Sequence, residues 1–93
     1  MLKHPRVVVR KLGKQRAWGL YNGTILIDPR SKGKARLEVL IHEYFHHLWQ
    51  DMPEVEVTDK AKLLADFLHR QHVRIIEPEK RSLQELNETN GDP

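Results

Sequence analysis

The chain has 93 residues, 39% of them hydrophobic and 31% charged, with a formal net charge of +3 and no cysteine. One domain fits that length, with a thin core that buries roughly 60–65% of the unfolded surface, so a bound metal would add useful stability. The composition excludes a disordered chain, disulfides and thiolate ligands; no run approaches the roughly 20 apolar residues of a membrane span, and Met1–Arg10 has no signal-peptide core, so a cytoplasmic protein is expected.

Charge is distributed unevenly. Residues 1–36 hold ten Lys or Arg against one acid, Asp28, for +9, whereas residues 37–93 hold six against twelve, for −6. The halves should attract each other. A basic first third also offers nucleic acid a phosphate-binding surface, although no DNA-binding motif accompanies it.

In chain order, Arg6-Val7-Val8-Val9-Arg10 is a β-branched run that predicts a strand. Ala17–Tyr21 and Thr24–Ile27 flank Asn22-Gly23, the dipeptide suited to a type I′ turn, and Asp28-Pro29 ends the second arm. A helix is predicted over about Lys34–Gln50. Leu37, Leu40, Ile41, Tyr44, Phe45 and Leu48 give it a core stripe, and Ala35, Val39 and Trp49 share the opposite face with His42 and His46, so both sides should be covered. Asp51-Met52-Pro53-Glu54 has the pattern of a capping box opening a second helix that runs to about His72. Its main stripe is Val57, Ala61, Leu64, Ala65 and Leu68, with Leu63 and Phe67 on a narrower second face. Val73–Ile76 is read as a closing strand or an extended end. Residues 1–77 form the expected domain, and 78–93 a polar tail with Ser82-Leu83-Gln84-Glu85 able to start one short helix.

The chemistry concentrates in His42-Glu43-Tyr44-Phe45-His46. Two histidines four apart on a helix lie about 40° apart in projection and about 6 Å apart along the axis, so both imidazoles can converge on one ion. Glu43 is rotated about 100° from His42, awkward for a ligand and well placed as general base toward an attacking water. With six His and eight Glu, shuffled chains give this H-E-x-x-H pattern in roughly 3% of cases, so its context must carry the argument.

A third ligand is required, and Asp51, Glu54, Glu56 and Asp59 are the acids in reach after the short helix connection. Glu54 has the best helical phase, since it borders the Val57–Ala61 stripe, but a capping box would use the same carboxylate locally. Glu56, Asp51 and Asp59 stay open as alternatives. Two imidazoles, a carboxylate and water suit Zn2+ and the hydrolysis of a peptide bond, with a peptide or protein as substrate. The other reading is a zinc-holding structural or regulatory module without activity, associated with nucleic acid through its basic first third.

The run Ile41–His47, preceded by a hairpin ending Ile25–Pro29 and followed by Asp51–Val57, resembles the minimal zincin-like metallopeptidases. It is most similar to the short phage and prophage forms and more distantly to SprT-like and IrrE-type domains, over roughly residues 16–76. The resemblance implies a small sheet packed on the active-site helix; with the elements read above, the expected fold is α+β, a small antiparallel sheet of the N-terminal strand and the Asn-Gly hairpin on that helix and a second long helix. It also implies a zinc ligand at the start of that second helix, and an edge strand that pairs with substrate. No downstream transition-state stabiliser matches: His69 and His72 lie about 22 and 27 Å beyond Glu54 along a straight helix, which leaves Tyr21, His47 or water.

Overall fold

The computed structural model describes residues 3–13 and 18–76. It contains three strands, β1 (Val7–Val9), β2 (Gly19–Tyr21) and β3 (Ile25–Ile27), followed by two helices, α1 (Gly33–Leu48) and α2 (Glu54–Arg70). The expected α+β arrangement of a small sheet and two long helices is present, and no helix among the described residues is long and apolar enough to cross a membrane. The tail 78–93 and its expected short helix lie outside the described residues.

The sheet is mixed, which corrects the antiparallel expectation. Its order is β1-β3-β2, with β1 parallel to β3 and β2 antiparallel to it. β3 takes the centre because Ile25-Leu26-Ile27 is buried throughout, whereas Val7 and Val9 of β1 are half exposed.

The hairpin also departs from the type I′ form. Tyr21 pairs with Ile25, so Gly23 is the apex of a three-residue loop at φ +100°, and Asn22 is not at positive φ. Asn22 bonds locally instead: its N–H donates to the Thr24 carbonyl at 3.2 Å and its Oδ1 accepts from the Thr24 N–H at 3.3 Å. The register has a consequence for the site. Gly19 and Tyr21 share a sheet face with Ile27 and Ile25, and that face looks onto α1.

α1 is covered on both sides as its two apolar faces require: every residue from Arg36 to Leu48 is buried or half-buried, while Ala35 and Trp49 are exposed. Its core stripe meets the alanines of α2, so Leu37, Ile41, Ala61 and Ala65 form the cluster on which Phe45, Leu68 and Ile75 pack. The helices run antiparallel, Lys34 at the start of one pairing with Asp66 near the end of the other at 2.9 Å. Leu63 and Phe67 remain exposed.

Both ends of α2 differ from expectation. It starts at Glu54 with Pro53 as N-cap and no side-chain cap bond, so the capping box does not form. It stops at Arg70, where His72 at φ +67° and the bonds Val73 N–H to Leu68 O and His72 N–H to His69 O make a Schellman reversal. Residues 73–76 then return as coil, not strand, and Ile75 meets the core.

Asp28 fastens the sheet to the loops around it. It is 2% exposed and accepts hydrogen bonds from the backbone N–H groups of Leu12 and Arg30 and from the Arg30 guanidinium. These bonds, led by that from the Arg30 side chain, hold its carboxyl far below the ordinary range.

Candidate metal centre

His42 and His46 project from α1 toward the first turn of α2. Glu54 Oε2 lies 2.9 Å from His42 Nε2, and Glu54 Oε1 lies 2.9 Å from His46 Nε2. The imidazoles are packed edge to face with centroids 4.9 Å apart. These three residues are the group of ligating side chains among the described residues whose donor atoms all fall within 4.8 Å of one another. Of the four acids that could complete the site, the structure brings Glu54 to the histidines. Asp51, Glu56 and Asp59 are outside this group, and Glu56 approaches Lys60 at 3.9 Å.

Local folding explains the choice. Because α2 begins at Glu54 itself, the residue stands at the first helical position, its carboxylate is not drawn into a cap, and it faces back across the short Trp49–Pro53 connection. Glu54 and Glu56 also place negative charge where the helix dipole favours it.

The group can hold a metal ion. Two imidazole nitrogens and one carboxylate converge without any thiolate, a donor set of the catalytic type that leaves a coordination position for a small molecule. The imidazoles are mostly covered while Glu54 is 67% exposed, so the fourth side faces solvent.

Glu43 is buried at 8% exposure and is not one of the ligating group. Burial raises its carboxyl above the ordinary range; the nearby His42 and His46 act in the opposite direction, and Glu54 adds to the rise. A Cβ at Gly19 would stand 2.4 Å from Val39 Cγ1 and 3.1 Å from both Cγ and Oε2 of Glu43. Gly19 therefore permits the close approach of β2 to α1 that seals one side of Glu43. Sequence reading missed this residue, and a glycine inside a strand pattern was the available signal.

Together these residues line a cleft of about 640 Å³, walled by Trp18–Tyr21 on one side and by Glu38, Val39, Gln50 and the metal-binding group on the other. Tyr21 is fixed by His47. His47 Nε2 lies 2.7 Å from the Lys3 carbonyl oxygen, which can only accept, so that nitrogen donates; in the neutral ring Nδ1 then accepts from the Tyr21 hydroxyl at 2.8 Å. His47 is thus a support that joins the N-terminal segment, α1 and β2. His4 Nδ1 likewise lies 3.0 Å from the Tyr44 hydroxyl. No family model matches the sequence, and neither the curated proteins nor the solved structures contain a match.

Proposed function

We propose that the protein is a zinc-dependent metallopeptidase, with His42, His46 and Glu54 as metal ligands and Glu43 as general base. The observation that carries this reading is the convergence of Glu54 on both Nε2 atoms beside a buried carboxylate that, among the described residues, belongs to neither a cap nor an ion pair. A structural metal site needs no such second carboxylate. Bound zinc would supply a Lewis acid and a water activated near neutral pH. Glu43, with its proton affinity raised by burial, accepts the proton of the attacking water and delivers it to the departing amine.

The edge strand supports a peptide substrate. Trp18 O accepts from Asp28 N–H and Asn22 N–H donates to Thr24 O, so by antiparallel alternation Trp18, Leu20 and Asn22 point their backbone groups at β3. Gly19 and Tyr21 point theirs outward along the cleft, where an extended chain can pair with them.

Zinc-loaded protein should contain about one ion per chain and cleave members of an unbiased peptide library. Glu43→Gln should keep the ion and lose on the order of 10²-fold or more in single-turnover rate. A wild-type rate no faster than that of Glu43→Gln across the library would leave only a structural role for the ion. That second reading has its own support, since the ligands come from two helices and the ion would join them.

A further inference from the structure

We propose that Glu38 gives the cleft a subsite for an organic cation of the substrate, a lysine or arginine side chain or a free terminal ammonium. The inference rests on the peptidase reading and adds its substrate class. Glu38 precedes His42 by one helical turn as His42 precedes His46, so the three form one stripe along α1, and all three line the cleft. Glu38 is half-buried, and among the described residues no side chain pairs with its carboxylate.

Charge makes the vacancy one-sided. Among the described residues no lysine or arginine lines the cleft. The metal-binding group has its own carboxylate in Glu54, so Glu38, which is outside that group, is left to meet a second cation. Its environment is walled by protein on two sides, so a cation that reaches it is screened less than at an open surface.

The position fits an extended substrate. β2 and α1 run in the same direction, with Gly19 beside Val39 and Glu43 and Tyr21 bonded to His47, so the Gly19 end of the edge strand is the Glu38 end of the cleft. One helical turn from His42 to Glu38 is about 6 Å, close to the roughly 6.6 Å between same-face side chains of a strand. A peptide paired with Gly19 and Tyr21 would therefore present to Glu38 a side chain one or two residues from the bond held at the metal-binding group.

The test measures binding, separately from turnover. Zinc-loaded Glu43→Gln protein is titrated with acetylated, amidated peptides in which lysine replaces norleucine at each position in turn, and with one free-amine peptide. At one register lysine, or the free amine, should bind about five- to tenfold more tightly than its neutral counterpart, the range of a partly desolvated ion pair. Adding Glu38→Gln should bring that ratio near one, and Glu38→Lys should invert it in favour of glutamate. A ratio unchanged by Glu38→Gln overturns the proposal, as does the absence of binding or of any preferred register. If the ratios behave as expected while wild-type protein cleaves nothing, the peptidase reading fails and the subsite stands. Cleavage that ignores Glu38 has the opposite meaning.

Discussion

At the scale of single residues, the site is costly to the fold that holds it. Glu43 is a carboxylate kept 8% exposed with no ion-pair partner among the described residues, and burial is the main reason its proton affinity is raised. A carboxyl whose folded pKa is raised carries no charging penalty below its unfolded value. The penalty develops as pH rises through that value, about 4.3, and is complete above the folded one. Glu43→Gln should therefore stabilise the metal-free protein at neutral pH, by about 0.5–2 kcal/mol, with the gain fading toward pH 4. Denaturant melts of both proteins with chelator at pH 4 and pH 7 would show it, and equal midpoint differences at the two pH values would contradict it. Gly19 is the other half of this arrangement. Gly19→Ala forces Val39 Cγ1 away from a 2.4 Å contact and should cost about 1–3 kcal/mol, much of it recovered in Gly19→Ala/Val39→Ala, with activity recovering less because Glu43 at 3.1 Å is still crowded. A double-mutant cycle in stability and rate separates the two effects. His42, Glu43 and His46 were legible because four-residue spacing fixes a helix face locally. Gly19 was not, because its reason lies on another element.

At the scale of elements, the local signals that failed are those where a longer-range contact competed. Asp51-Met52-Pro53-Glu54 spells a capping box, yet the helix begins at Glu54 and the carboxylate turns to two histidines on α1. Helical phase had favoured Glu54 among the four acids, but whether a cap or the histidines would take its carboxylate is a tertiary outcome. Asn22-Gly23 does mark the hairpin, and Asn22 uses its own side chain to make a three-residue loop that turns Gly19 and Tyr21 toward α1. The parallel pairing of β1 with β3 depends on a crossover that periodicity does not encode. The end of α2 offers a direct measurement. His72 occupies the left-handed position of a Schellman motif at φ +67°, where a Cβ is strained and glycine is not. His72→Gly should raise stability by about 0.5–1 kcal/mol, less the extra freedom glycine gives the unfolded chain. The same substitution at His69, inside the helix, should lower it by a similar amount. Thermal melts of the two variants should therefore move in opposite directions.

For the molecule as a whole, the metal-binding group joins the two helices at the end where the chain turns from α1 into α2. The cluster between the helices consists of Leu37, Ile41, Ala61 and Ala65, and the sheet contributes mainly Ile25 and Ile27. The start of α2 adds Val57, with Val55 74% exposed. At that end α1 and α2 are joined by the short connection, by Val57 and by Glu54 between two histidines, so an ion held there acts as a clamp. An ion that binds only the folded chain stabilises it by RT ln(1 + [L]/Kd), about 2.7 kcal/mol at a free concentration of 100 Kd. For a domain of this size that corresponds to a Tm rise on the order of 10 °C or more. Zinc added to chelator-treated protein should produce that shift in calorimetry, His42→Ala and Glu54→Ala should abolish it, and Glu43→Gln should preserve it. Hydrogen exchange gives the location: protection should rise most in the first turns of α2 and the last turns of α1, and least in β1. Uniform protection would mean that the ion stabilises only through global unfolding, whereas a shift that survives Glu54→Ala would place the third ligand elsewhere.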